Sequence, residues 1–434
     1  MKNPQVENRT LFTGDNLEVM RSINSETVDL IYLDPPFNKK FVFPIGKGDS
    51  AEFGFKDVWG WDSAPDEGNP YLPYAELYAF DELVAAAADG NPLIEKAVAQ
   101  KIVRFLETIG EIAGHAEMAY LSFMAARLME MRRLLKPTGS IYLHCDPTMS
   151  HSLKLLMDIV FGDGNFRNEI AWCYSSTSQA SRWFPRKHDL IFFYAKTDMY
   201  KFNKDAVRIA FKKSLVRHGS TWKSGDPEEL EARTKKGKIV EDFWTDIYPV
   251  NSMAKERTGY PTQKPLPLLE RIIKASSNEG DLILDPFCGC ATTCVAAERL
   301  NRRWVGIDVA AQAAKLVRAR LLAETKQGKL GDKVPEVLHR MFDEDDCPMR
   351  TDMGEKRSKN IRQILYGMQG GNCNLCKTHF DNPRHLEDDH IIPCKKGGPD
   401  ADRNLQLLCG SCNRIKSTRT MEQARRRLRE LGYI

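Results

Sequence analysis

The sequence predicts an α/β protein built on a parallel sheet with helices on both faces, followed by a small second domain. Three observations lead there. The stretch "DLIYLDPPFNKK" (29–40) is a short apolar strand that stops at an acid and two prolines. The stretch "DLILDPFCGCATTCVAAERLNRRWVGIDV" (281–309) runs strand, tight turn, helix and strand in close succession. The tail carries two C-x-x-C pairs, Cys373/Cys376 and Cys409/Cys412, whose spacing reads as a zinc staple before it reads as disulfides.

The elements follow in order. "LFTGDNLEVMRSI" (11–23) reads as strand, Gly-Asp turn and short helix. Leu30 to Leu33 form the next strand, because a run of apolar residues bounded by turn signals suits a strand buried on both faces. Residues 40–116 break the pattern and read as an insertion with helices. "EMAYLSFMAARLMEMRRLL" is a long amphipathic helix, "KPTG" a turn and "SIYLHC" a strand, the makings of a βαβ crossover. "SHSLKLLMDIVFG" is the next helix and "HDLIFFYAK" the next strand. The sheet pattern resumes at 281, with Thr292 and Thr293 placed to cap the helix after the turn. Residues 326–358 are charged and aperiodic, a linker, and 359–434 are the second domain. There are no internal repeats and no low-complexity tract.

Composition narrows the function. With 434 residues and 42% hydrophobic content, the chain can build more than one core. No run approaches the roughly 18 apolar residues of a membrane span. The first residues lack an apolar signal core, so a cytoplasmic protein is expected. The net charge of +4 is unevenly spread: residues 351–434 hold 16 Lys and Arg against 10 Asp and Glu. A basic tail suits a polyanion, although a solvated face has the same composition. Residues 198–260 interleave Lys, Arg, Trp and Gly, as does a phosphate-tracking segment or a solvated loop.

Two loops carry chemistry. Pro35 and Pro36 cannot extend a ladder, so Asp34 and Phe37 sit on a stiff turn at a strand's carboxyl end, the edge where α/β sheets bind ligands. A carboxylate beside a rigid ring suits a flat, polar heterocycle. In "LILDPFCGCATT" small residues at Gly289, Cys290 and Ala291 let backbone approach a ligand before a helix N-terminus. Asp308, at the end of "WVGID", stands where an acid bonds a ribose hydroxyl. No phosphate-cradling lysine follows, which favours a nucleoside without a triphosphate.

"DPPF" at 34–37 together with "YPTQKPLPLLERII" and "DLILDPFCGCATTCVAAERLNRRWVGID" resembles the amino-methylating DNA methyltransferases, in the permuted order of their beta group. "GSIYLHCDPTMSHSLKLLMDIVFG" and "FRNEIAW" are similar to that group's middle segments. The resemblance covers roughly residues 10–325. It implies a Rossmann-like S-adenosylmethionine-dependent methyltransferase sheet, double-stranded DNA as partner, and adenine N6 as the methylated amine, with cytosine N4 the alternative. It implies a catalytic loop of Asp34, Pro35, Pro36 and Phe37. Asp34 and the Pro35 carbonyl would accept from the target amine, and Phe37 would stack on the flipped base. Asp285, Phe287 and Gly289 would line the cofactor pocket, Asp308 would hold the ribose, Asp15 would approach the adenine, and Thr262 and Lys264 would lie beside the methionine end. Ala291 departs from a loop that commonly has glycine there. The domain would span 1–325, with target recognition in 198–258.

"CNLCKTHFDNPRHLEDDHIIPCKKGGPDADRNLQLLCGSCNRIK" resembles the HNH nucleases, whose ββα hairpin cuts a phosphodiester with one divalent ion. The resemblance implies His390 as general base, Asn404 as its positioner, and Asp389 with Asn413 as ligands of Mg²⁺ or Mn²⁺. Cys373, Cys376, Cys409 and Cys412 would hold structural zinc. Asn413 replaces the usual histidine, so a module that only binds DNA is the alternative. The basic end "ARRRLRELGYI" is either a helix along phosphates or a solvated face. The DNA sequence recognised and the oligomeric state are not readable.

Overall fold

The computed structural model describes residues 6–38, 41–45, 52–57, 96–175, 180–210, 235–341, 350 and 360–433, apart from 252, 255, 261, 311, 331–332, 392, 394–401 and 420. The first elements are β1 (Thr10–Thr13), α1 (Asn16–Ser22), β2 (Val28–Leu33), β3 (Phe41–Ile45) and β4 (Glu52–Asp57). After them come α2 (Lys96–Ala113), α3 (His115–Leu134), β5 (Leu135–Cys145), α4 (Ser150–Phe161), β6 (Phe166–Cys173) and β7 (His188–Ala195). Next are β8 (Arg208–Ile209), β9 (Lys238–Ile239), β10 (Phe243–Trp244), α5 (Leu266–Ser276), β11 (Leu282–Asp285), α6 (Thr292–Arg299), β12 (Arg303–Asp308), α7 (Gln312–Lys326) and β13 (Leu338–Met341).

Nine strands form one sheet in the order β10-β6-β7-β5-β2-β11-β12-β1-β13. Successive side chains of a strand leave by opposite faces, and this divides the core in two. Ile31 and Leu33 join Leu121, Leu128 and Leu153 of α3 and α4 on one face. Leu30 and Tyr32 join Leu269, Val295 and Val317 of α5, α6 and α7 on the other. All six residues of β2 are buried, as its apolar run requires. The helices do cover both faces.

Three expectations are corrected. The sheet is mixed: β7 runs antiparallel to both β5 and β6. Among the described residues no helix lies between β6 and β7, and β7 returns beside the strand just left. "KPTG" is not a free turn but the opening of β5, where Leu135 pairs with Val28 and a shift of register before Leu30 and Ser140 absorbs the proline. The charged stretch from 326 is not linker throughout: Leu338–Met341 pairs in parallel with β1 as the edge strand. Four residues on an edge are too few to show a hydrophobic period.

Of the expected insertion, β3 and β4 form an antiparallel hairpin, while 58–95 lie outside the described residues. In the expected recognition stretch, β10 joins the sheet beside β6, and 211–234 lie outside the described residues, as do 342–349 and 351–359 of the expected linker. No helix among the described residues is long and apolar enough to cross a membrane.

The second unit contains α8 (Ile361–Met368), β14 (Leu386–His390), β15 (Leu405–Cys409), α9 (Gly410–Lys416) and α10 (Met421–Glu430). β14 and β15 are antiparallel, with Asp389 opposite Gln406, and α9 follows at once, giving the ββα order. Leu386, Leu405, Leu407 and Leu408 meet Leu365 of α8 and Leu428 of α10 in its core. Met421, Ala424 and Leu428 turn inward, so the arginine-rich end is an amphipathic helix docked by its apolar face.

Candidate active site and cysteine cluster

β2 delivers Asp34 to the sheet's carboxyl edge, and the prolines take the chain out of the ladder there. Asp34 Oδ2 accepts from Lys264 Nζ at 2.6 Å, whereas Asp34 Oδ1 is buried with no hydrogen-bond partner. A buried, unsatisfied carboxylate oxygen is costly unless a ligand supplies a donor. The Lys264 ammonium also lies 5.3 Å from the centre of the Phe37 ring. Lys264 thus grips the Asp34–Phe37 turn itself. Thr262, two residues earlier, holds a left-handed φ of 58° in that segment.

Below Phe37 lies a polar column that sequence reasoning missed. Phe37 stacks on His144 at 6.0 Å and 23°. His144 is fully buried; its Nδ1 lies 2.9 Å from Tyr32 Oη and its Nε2 3.1 Å from Asp189 Oδ2. Tyr174 Oη donates to Asp189 Oδ1 at 3.1 Å. Burial pushes the Asp189 carboxyl up, but the bonds from His144 and Tyr174 and the charge of Lys264 outweigh this and hold it below the usual range. The signal that could have found these residues is a histidine or acid within an apolar strand run, in "SIYLHC" and "HDLIFF".

β11 ends at Asp285. Its Oδ1 accepts from the Phe287 N–H at 3.1 Å and its Oδ2 from the Thr293 hydroxyl. Burial pushes Asp285 up to about 7; those two bonds oppose it, and the charges of Asp34 and Asp308 add to it. Gly289 has φ 48°, and a Cβ there would come within 3.1 Å of the Tyr260 ring, so any side chain at this position would be strained. Asp308 Oδ2 accepts from the Gly289 N–H at 2.7 Å and Oδ1 from the Ala310 N–H at 2.8 Å, tying the loop to the end of β12. Burial raises Asp308 as well.

The threonines do not cap α6. The N-cap position is Ala291, with no side-chain cap. Thr293 turns inward to Asp285, and Thr292 accepts from Arg320 Nη1 at 2.8 Å. Ala291 itself takes the left-handed angles φ 57°, ψ 37° that glycine would take, at a cost of roughly 1–2 kcal/mol. Asp15 caps α1 by accepting from the Leu17 N–H at 2.7 Å, and both its oxygens accept from Arg127 Nη2 at 2.9 Å. Its neighbour Asn16 donates to the Pro286 carbonyl at 2.7 Å, so Asp15 is held against the 285–289 loop. The structure therefore gathers Asp34, Phe37, Lys264, Asp285, Gly289 and Asp308 at one edge. Arg127, His144, Asp189, Tyr260 and Arg320 are its unforeseen supports.

In the ββα unit the sulfur atoms of Cys373, Cys376, Cys409 and Cys412 all lie within 4.8 Å of one another. The Cys409 N–H donates to Cys373 Sγ at 3.2 Å, a bond that steadies a thiolate. Four soft donors converging in this way fit tetrahedral zinc. Among the described residues no second group of three His, Cys, Asp or Glu donors converges. Asp389 Oδ2 is held by Lys416 Nζ at 2.8 Å and Gln406 Nε2 at 2.9 Å. Asn413 Nδ2 donates to Glu387 Oε2 at 2.7 Å. Glu387 and Asp389, two apart on β14, thus both reach α9. Lys416 also donates to the His390 carbonyl at 2.6 Å, and the Ile391 N–H donates to the Asn404 carbonyl at 2.9 Å, so the strand end around His390 is held on both sides.

Two families match the chain. The DNA methylase family matches residues 28–319 and the HNH endonuclease family residues 373–419. The Type II methyltransferase M.EcaI of Enterobacter cloacae is 32% identical over 281 residues, 52% of this chain. The chain spans 62% of that relative's length. The DNA adenine methyltransferase YhdJ of Escherichia coli (strain K12) is 26% identical over 338 residues, 75% of this chain and 90% of the relative. Among solved structures, TTHA0409 of Thermus thermophilus in complex with S-adenosyl-L-methionine is 19% identical and covers 77% of this chain and 100% of its own, with a TM-score of 0.41. With the family match covering well over half its length, the chain belongs to the N6/N4 DNA methylases and carries an HNH domain at its C-terminal end.

Proposed function

We propose that this protein methylates the N6 amine of adenine in double-stranded DNA and that its HNH domain cleaves or nicks DNA, in a restriction-modification role. The observation that carries the first half is the pair of oxygens on Asp34: one held by Lys264, the other buried and waiting for a donor. An exocyclic N–H of a flipped base supplies that donor. Asp34 and the Pro35 carbonyl would draw on the two amine hydrogens, directing the nitrogen lone pair outward, and Phe37 would face the base. S-adenosylmethionine would supply a methyl group on a sulfonium; the new N–C bond forms as the C–S bond breaks, and sulfur leaves as a neutral thioether. The amine's surplus proton passes to Asp34 or water. Asp285, Phe287, Gly289 and Asp308 would hold the methionine and ribose ends, with Asp15 and Thr262 at the margins. The "DPPF" form and the adenine specificity in the name of YhdJ favour adenine over cytosine N4.

For the HNH domain, His390 would take a proton from water as that water attacks phosphorus, the scissile P–O ester bond breaks, and the departing sugar oxygen takes a proton from solvent water. Asp389 and Asn413 would hold the Mg²⁺ or Mn²⁺ that neutralises charge on the scissile phosphate. The limited donor set around Asp389 favours a second reading, DNA binding alone; cleavage that His390→Ala abolishes while binding persists excludes it. The test of the main reading is nucleoside mass spectrometry on unmethylated duplex DNA incubated with protein and S-adenosylmethionine without added divalent metal. N6-methyladenine is expected. N4-methylcytosine would move the target, and no methylated base on several varied genomic DNAs would overturn the reading.

A further inference from the structure

The connection between β6 and β7 leaves the sheet at the same edge as Asp34. Cys173 pairs with His188 at its base, and the Tyr174 N–H donates to the Lys187 carbonyl at 2.9 Å. Tyr174 is also bonded to Asp189, which bonds His144, on which Phe37 stacks. The connection is therefore bonded at its base to the column beneath Phe37. The segment leading into β7 reads "RWFPRK". Phe184 is 95% exposed, more than any other large apolar side chain among the described residues, and Trp183 is 69% exposed. Arg182 and Arg186 flank them, both exposed and without an acidic partner among the described residues, and Lys187 follows. Two exposed aromatic rings are unfavourable in water, and the cations at 182, 186 and 187 argue against an apolar protein partner. A partner that offers flat apolar faces between phosphates satisfies both requirements, and nucleic acid is that partner.

We infer that the segment 182–187 enters DNA beside the methylation pocket, with Trp183 and Phe184 stacking on bases at the position a flipped nucleotide vacates and Arg182, Arg186 and Lys187 holding the flanking phosphates. This rests on the proposed methylation of flipped bases and deepens it by assigning the element that occupies the gap. Stacking and phosphate contact separate by salt. Each phosphate contact adds about 0.9 to the slope of log affinity against log salt, and stacking adds nothing.

The experiment uses the full chain and a mixed-sequence genomic duplex without added divalent metal, with affinity measured by fluorescence anisotropy across sodium chloride concentrations. The combined variant R182A/R186A/K187A is expected to lower the slope by roughly 2 to 3. The pair Trp183→Ala with Phe184→Ala is expected to keep the slope, weaken binding on the order of 10-fold at every salt concentration, and lower methyl incorporation at least as much. Calorimetric binding of S-adenosylmethionine should be unchanged in both. An aromatic variant that binds and methylates as the unaltered protein does overturns the inference alone, and so does one that loses S-adenosylmethionine binding, since the rings would then serve the fold. An unaltered protein that transfers no methyl group to DNA overturns the proposed function and this inference with it.

Discussion

Both units of this chain set an acid at the carboxyl end of a strand and grip it with a buried lysine. Asp34 follows β2 and meets Lys264; Asp389 lies near the end of β14 and meets Lys416. In each pair the ammonium holds Oδ2, leaving Oδ1 for other work. The surroundings differ. Asp34 Oδ1 is buried and unsatisfied, so it calls for a polar hydrogen from a ligand that displaces water. Lys416 is fully buried and bonds two partners, Asp389 and the His390 carbonyl, so it also serves as a strut of a small core. The same pair of residue types is thus a positioning device in a large domain and partly a structural one in a small domain, because the small domain has little else to hold its strand ends.

The largest expected effect breaks the comparison at the level of stability. Stripping metal from the cysteine cluster should unfold the ββα unit and leave the methylase sheet folded, since structural zinc supplies on the order of 10 kcal/mol to such modules. Circular dichroism and limited proteolysis with a chelator would read it as early cleavage confined to residues beyond 360; equal protection with and without chelator would refute it. The two lysines give the next effect. Lys416→Met should destabilise the small unit by about 3 kcal/mol or more, because it strands a mostly buried carboxylate. Lys264→Met strands its carboxylate within a much larger core, so it should lower stability less than Lys416→Met and slow methyl transfer on the order of 10²-fold, through misplacement of Asp34. If both variants lose stability alike, the distinction between the two pairs fails.

The smallest effect concerns pH. Asp285 is pushed up to about 7 by burial, so the folded protein holds a proton there that the unfolded chain gives up near its ordinary value of about 4. Its contribution to stability is therefore present below that ordinary value and is lost as pH rises toward 7. If Asp285 meets the cofactor's methionine end as proposed, the ammonium there favours the ionised form. S-adenosylmethionine affinity should rise up to 10-fold per pH unit below about 7 and level off above it, by calorimetry from pH 6 to 8.5. Thr293→Val removes a bond that lowers the Asp285 pKa and should move the bend to higher pH. A flat profile would place Asp285 outside the cofactor's charged end.

Much of this architecture was legible because its signals are local. A buried strand writes itself as an apolar run, prolines mark where it must stop, and paired C-x-x-C spacing marks a metal knuckle. So β2, β11, α6 and the cysteine set could be read along the chain, and Gly289 with Asp308 followed from the loop that joins β11 to α6. What could not be read depends on partners distant in sequence. Thr292 and Thr293 suit a helix cap by residue type, yet Asp285 and Arg320 claim them from other elements. Strand direction at β7 and the edge strand β13 were hidden because pairing partners leave no local mark.

The sequence by itself determined the α/β class, the two units, the loops at 34–37 and 285–289 and the cysteine set, since residue type and short spacing carry each of them. Only the tertiary structure decided that Lys264 binds Asp34 across 230 positions of sequence, that His144 and Asp189 underlie Phe37, and that Lys416 secures Asp389. The physical reason is the same throughout: a charge or hydrogen bond acts over a few ångströms of space, and folding alone determines which distant residues come that close.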